Sequence, residues 1–367
     1  MDHYDLVQRL TSGTQSPADL ARWVNDFAVD MGWRPSDQLQ LPVASEFSTT
    51  HLIVEHGLEN TAVITFLRQP YRYAALSSSQ QRCLLNASYN NLVDWHINVD
   101  FDNATFIFNR YNPPDFYIVK ESITRASVGK LKSSAFQNLS SIHPAPDVPA
   151  LDSALISTVS LWKRRLAAEV NGISNHNISA LFNAIIFLRA VEDNRKNKSA
   201  NEQSANLLSS LLDSSERGTT GLQPFIERAL IALNIADAPS SIIDVAALAA
   251  FDGLDATTLS ELISDFYRNR YARYFEYDFS LMSKHALSRI YEHYVSLLRL
   301  PYSPQIALFP RLPEERLERS YGNVYTPEFI ARFFARYLRK ETSGSLVSAL
   351  KDHRSRVRFG HLPAGVA

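Results

Sequence analysis

The sequence predicts an α+β protein, on three observations. Residues 1–145 hold short runs of β-branched and aromatic residues around one helical stretch, the pattern of an α/β domain. From 150 to 300 the apolar residues recur instead at helical spacing, so a mainly α-helical domain follows. Between them, Ile142-His143-Pro144-Ala145-Pro146-Asp147-Val148-Pro149 is proline-rich and reads as a linker.

Taken in order, Ser16-Pro17-Ala18-Asp19 opens a helix, with Ser16 as cap and Pro17 in the first turn, and Leu20, Trp23, Val24 and Phe27 fall on one face. Strands are expected at His51–Val54 and Ala62–Leu67. A helix follows from Ser77 to about Val93, then strands at Trp95–Val99 and Thr105–Asn109, joined by the turn-rich Asp100-Phe101-Asp102-Asn103. In the helical region Leu155, Val159, Trp162 and Leu166 share one face, and Leu181, Ala184, Ile185, Leu188 and Val191 share another. The run Glu192-Asp193-Asn194-Arg195-Lys196-Asn197-Lys198 and the polar stretch to Gly221 read as solvated surface. A later helix, capped by Ser283, sets Leu287, Ile290, Tyr291, Tyr294, Val295 and Leu298 on its apolar face. After the prolines 301, 304, 310 and 313, Gly322-Asn323-Val324-Tyr325-Thr326-Pro327-Glu328 runs into another amphipathic helix bearing Phe329, Ile330, Phe333, Phe334, Tyr337 and Leu338.

Composition narrows the function classes. The chain has 367 residues, is 45% hydrophobic and 20% charged, and is long enough for two or three domains with real cores. A formal net charge of −1 argues against coating nucleic acid by bulk charge, so any nucleic-acid contact has to be regional. The single cysteine, Cys83, excludes an internal disulfide and a thiolate zinc cluster and fits a reducing compartment. The opening Met1-Asp2-His3-Tyr4-Asp5 has no secretory leader and no apolar run is long enough to span a bilayer, so a cytoplasmic protein with no membrane partner is expected.

Four segments carry a family resemblance. Phe187-Leu188-Arg189-Ala190-Val191-Glu192-Asp193, then Tyr277-Asp278-Phe279-Ser280, then Ser288-Arg289-Ile290-Tyr291-Glu292, then Gly322-Asn323-Val324-Tyr325-Thr326-Pro327 stand in an order that resembles the N6-adenine DNA methyltransferases of restriction-modification systems, including forms fused to an endonuclease. The resemblance covers roughly residues 150 to 340, and residues 1 to 145 by layout only. It implies a nuclease-like α/β domain over 1–145, a helical connector over 150–300 and, over 315–351, the first helix of an incomplete Rossmann-like methyltransferase domain. It also implies that Tyr325, Thr326 and Pro327 line an S-adenosylmethionine pocket. A loop at a helix N-terminus suits that role, because its unpaired N–H groups can meet a carboxylate. Double-stranded DNA, with restriction or specificity subunits, would be the partners.

Two motifs of that family are missing. The glycine-rich D-P-A-C-G-S-G turn that holds the methionine part of the cofactor is absent, and so is the N-P-P-Y or N-P-P-F loop that grips a flipped adenine. Asn112-Pro113-Pro114-Asp115-Phe116 is a near match, but Asp115 displaces the aromatic residue and the segment lies upstream of the cofactor helix, so it reads as a proline turn. No catalytic residue is therefore assigned, and no tight binding of S-adenosylmethionine by this chain is expected. The tail, 352–367, has little periodicity. Codons compatible with it, read one nucleotide downstream, allow Asp-Pro-Ala-Cys-Gly-Ser-Gly-Ile-Phe-Leu-Arg-Ala-Leu, so a frame shift near Lys351 is the expectation.

Metal-dependent cleavage would need carboxylates and a lysine, typically as Asp/Glu/Gln-x-Lys on a strand. No such triplet occurs in the chain, and Ile64-Thr65-Phe66-Leu67-Arg68 stands where it would be carried, so the nuclease-like domain is expected to be inactive. His285 and His293 lack partners for a metal set, and no metal site is assigned. Tyr267-Arg268-Asn269-Arg270-Tyr271-Ala272-Arg273-Tyr274-Phe275 interleaves arginine with aromatics. Arg268, Arg270 and Arg273 are candidates to contact DNA, with helix packing the competing use of the aromatics. The reading at this level is the N-terminal portion of a DNA adenine-N6 methyltransferase; the rival is a non-enzymatic DNA-binding or assembly subunit of the same kind of system.

Overall fold

The computed structural model describes residues 2–282, apart from 14–15, 40–41, 57–58, 114, 144, 171, 199–207, 209–221, 223–225 and 228–243. The helix expected from Ser283, the candidates Tyr325, Thr326 and Pro327, His285 and His293, and the segments 315–351 and 352–367 lie outside the described residues.

Two helices open the fold, α1 (His3–Ser12) and α2 (Pro17–Asp30). The Ser16 hydroxyl caps α2 by accepting from Asp19 N, as its sequence position implies. Gly13 closes α1 at φ 75°, where a Cβ would sit 2.5 Å from Cγ of Arg68, so glycine is required both by the left-handed backbone and by the close approach. A six-stranded sheet follows: β1 (Arg34–Leu39), β2 (Ser48–His56), β3 (Glu59–Leu67), β4 (Trp95–Val99), β5 (Asn103–Phe108) and β6 (Tyr117–Ser122). The strands lie in sequence order and all neighbours are antiparallel except β3 and β4, which run parallel. A parallel pair needs a crossover, and α3 (Ser78–Asn90) supplies it. Ser77 and Gln80 start α3 with a reciprocal capping box, satisfying two backbone donors at once.

The strand alternation sends two different sets of side chains to the two faces. Leu52, Val54, Ala62, Ile64, Phe66, Trp95, Ile97, Val99, Phe106 and Phe108 form one apolar face and pack with Leu6, Leu10, Val24 and Phe27 of the opening helices and Phe136 of α4 (Ser133–Ser140). Each fully buried side chain of this size contributes ~1.5–3 kcal/mol of transfer free energy. The opposite face, toward α3, carries His51, Thr65, His96, Asn98 and Asn109, all buried.

The helical region contains α5 (Leu151–Glu169), α6 (Asn175–Lys198) and α7 (Ala256–Ser264). Leu155, Val159, Trp162 and Leu166 of α5 and Leu181, Ala184, Ile185 and Leu188 of α6 are all buried, as their periodicity predicts. They share one apolar cluster with Leu84, Leu85 and Tyr89 of α3, so α3 is the layer between the sheet and the helices. The proline-rich segment joining the two parts is pinned in place. Asp147 N and Val148 N donate to the Arg110 carbonyl (3.0 and 2.9 Å), Tyr111 donates to the Ala145 carbonyl, and His143 stacks on Phe108. Among the described residues no helix is long and apolar enough to cross a membrane.

Candidate functional site

Helix α6 places Arg189, Glu192 and Asp193 on one face by i, i+3, i+4 spacing. The guanidinium meets Glu192 Oε2 at 3.1 Å and Asp193 Oδ2 at 2.8 Å, and donates to the carbonyls of Phe266 (3.2 Å) and Tyr277 (3.1 Å). The Tyr267 ring covers it, 3.8 Å from the guanidinium carbon, and the Tyr267 hydroxyl donates to Glu192. Glu192 also accepts from Leu208 N, and Asp193 accepts from Phe279 N at 2.9 Å. Burial opposes the charge on Arg189, but Asp193, Tyr267 and Glu192 outweigh it and raise its pKa.

This overturns the expectation that Glu192 and Asp193 are solvated. Both are buried, Glu192 completely, because Arg189 and the 266–279 segment supply a partner for each carboxylate. The same contacts join two of the family-like segments, 187–193 and 277–280, which are far apart in sequence and here form one buried cluster.

The cluster floors a cleft of about 520 Å³ at the junction of α3, α6 and α7. Asn86 of α3 contributes one wall, Glu276 and Asp278 another. A third wall consists of Ser260 and Ser264 of α7 together with Arg268, which follows the turn closing that helix and pairs its backbone with Glu276; Arg268 N donates to the Ser264 carbonyl at 2.9 Å.

The arginine-aromatic segment that follows is a fixed loop. The Asn269 side chain, buried, accepts from Tyr271 N and Ala272 N (both 3.0 Å) and donates to the Tyr89 hydroxyl at 2.7 Å; that hydroxyl donates to the Pro149 carbonyl at 3.0 Å. Phe275 stacks on Tyr89 with ring centroids 4.3 Å apart, and Tyr274 packs edge-on against Phe116. The packing use of the aromatics therefore holds for Tyr274 and Phe275, while Tyr271 remains 39% exposed. Arg268, Arg270 and Arg273 are all exposed. Arg270 reaches Asp265 at 3.4 Å, whereas Arg268 and Arg273 make no ion pair among the described residues.

The polar face of the sheet is a second concentration of chemistry. Ser48 Oγ donates to the Ala44 carbonyl (2.6 Å) and meets His51 Nε2 at 2.9 Å. His51 Nδ1 meets Thr65 Oγ1 (2.8 Å), Thr65 Oγ1 meets His96 Nε2 (2.8 Å), and His96 Nδ1 faces Ser88 Oγ (3.2 Å), which receives Asn109 Nδ2 at 2.7 Å. Ser88 Oγ also donates to the Leu85 carbonyl at 3.0 Å, so each end of the chain is anchored by a serine bound to a backbone carbonyl, and both imidazoles are neutral. Burial lowers the pKa of His51 to about 3, and burial together with the neighbouring His51 lowers that of His96 to about 3. This is a structural hydrogen-bond chain. Facing α3, strand β3 presents Val63, Thr65 and Leu67, and no group of three metal-binding side chains occurs among the described residues.

Asn112–Phe116 is a turn between β5 and β6, closed by Asp115 N donating to the Asn112 carbonyl at 3.1 Å. Cys83 is half-buried, and burial, then the Asp278 charge, pushes its thiol up to about 11, far from a reactive thiolate. Sequence reasoning singled out Arg268, Arg270 and Arg273 as candidates, named Arg189 and Asn269 only within longer segments, and gave no role to His51 or His96. The only signals for these were an arginine within a helix of apolar periodicity and histidines inside strand runs. No protein-family model, curated protein or solved structure matches the chain.

Proposed function

We propose that the chain is the N-terminal portion of a site-specific DNA adenine-N6 methyltransferase of a restriction-modification or phage-defence system, inactive as this chain. The supporting observation is the Arg189 cluster, in which the segments 187–193 and 277–280 of the resemblance meet as one buried unit. On this reading residues 1–145 are a nuclease-like scaffold without nuclease chemistry, and the Rossmann-like domain begins after the described residues. The three residues that the resemblance assigns to S-adenosylmethionine lie outside the described part. The cleft beside Arg189 has no glycine among its lining residues to admit the cofactor's methionine end, so no step of methyl transfer is derived.

The decisive experiment pairs the gene with the protein. Nucleotides downstream of Lys351 should spell Asp-Pro-Ala-Cys-Gly-Ser-Gly in the shifted frame, and a gene corrected to that frame should yield a product that binds S-adenosylmethionine in calorimetry. The 367-residue chain should transfer no methyl group to DNA. Codons that forbid the motif, or methylation by the chain as it stands, defeat the proposal. The rigid arginine loop favours the second reading, a non-enzymatic DNA-binding or assembly subunit. Such a module would shift duplex DNA and show no heat with the cofactor in either frame.

A further inference from the structure

The geometry points to the loop 267–275 as a nucleic-acid contact surface, in which Arg268 and Arg273 take backbone phosphates and Tyr271 lies against a sugar or base. The inference rests on DNA being the partner under the proposed function, and it assigns the contact to this loop. Three features carry it. The segment holds three arginines and no carboxylate, although the whole chain is nearly neutral. Arg268 and Arg273 are exposed and make no ion pair among the described residues, so their donors are not committed internally. The loop is held from behind, by Asn269, Tyr89 and Phe275, so presenting those groups to a ligand costs little further ordering.

The cleft extends this surface. Ser260, Ser264 and Arg268 line the same cleft, a set of hydroxyls and a guanidinium that suits phosphate oxygens. Of the carboxylates across the cleft, Glu276 lies 3.5 Å from Arg82 and Asp278 accepts from Ser280 N at 3.0 Å. An acidic peptide would use the same arginines, but an exposed tyrosine among them adds a flat ring that a peptide carboxylate has no use for and a nucleotide does.

The test measures binding of the 367-residue chain to a labelled 30-base-pair duplex and to the corresponding single strand over a range of salt. Arg268→Ala with Arg273→Ala should weaken duplex binding on the order of 50-fold at 0.1 M salt and flatten the log K against log salt slope by about 2, two phosphate contacts at ~0.9 each. Arg268→Lys with Arg273→Lys should keep most of the slope, since a point charge suffices. Tyr271→Ala should cost roughly tenfold on the single strand and less on the duplex. None of these side chains anchors the loop, so thermal unfolding should be unchanged. A wild-type chain that binds neither DNA defeats the DNA reading itself. Binding with an unaltered slope in the double alanine variant overturns the loop assignment while leaving that reading in place, and competition by a polyglutamate peptide equal to that of DNA assigns the loop to acidic protein.

Discussion

Lowering the pH from 7 to 5 should cost this fold about 4 kcal/mol through two histidines alone. His51 and His96 are fully buried and neutral, each with a folded pKa of about 3 against 6.5 when unfolded. The folded pKa is depressed, so the unfolded chain binds the extra protons. The stability these groups provide is complete above pH 6.5 and is lost as pH falls from there toward 3. At pH 5 an unfolded histidine of pKa 6.5 is almost wholly protonated and the folded one is not, a difference of about 2 kcal/mol per residue. Against a total of ~5–15 kcal/mol this is enough to bring the domain near unfolding. Urea unfolding at pH 7, 6 and 5, followed by tryptophan fluorescence, gives the slope directly. His51→Gln with His96→Gln should be less stable at pH 7, because the hydrogen-bond chain is disturbed, but should lose much less between pH 7 and 5. An equal pH slope in wild type and double variant would refute the reasoning.

Two further outcomes follow from buried groups and caps. Arg189→Met leaves Glu192 and Asp193 buried without their cation and should cost about 3–5 kcal/mol in urea denaturation; a loss under 1 kcal/mol would show that the cluster is solvated. Ser77→Ala removes the hydroxyl half of the capping exchange at α3, the acceptor for Gln80 N, and should cost about 1 kcal/mol with no change in m-value, whereas an unchanged midpoint would mean that packing alone sets the start of that helix.

The inner part of the sheet was legible because β2, β3, β4 and β5 are rich in β-branched and aromatic residues, and α3 because Ser77 and Gln80 announce its start. The edge strands were not. Arg34-Pro35-Ser36-Asp37-Gln38-Leu39 is polar and contains a proline, and it becomes β1 by pairing with β2; β6 likewise is defined by its ladder with β5. The arginine candidates were visible from composition, but Asn269 gave no local sign of its role, since its partner Tyr89 belongs to α3.

The sequence by itself determined the α+β class, the strand-helix-strand order of the sheet and the apolar faces of α5 and α6, because periodicity and caps act over one or two turns of chain. Tertiary structure alone decided the electrostatics. Glu192 and Asp193 look like surface charges until residues 266–279 close over them, and His51 and His96 look like exposed polar positions until α3 covers the sheet. Whether a charge is affordable in either place depends on a partner supplied from elsewhere in the fold, and local pattern carries no record of that distance.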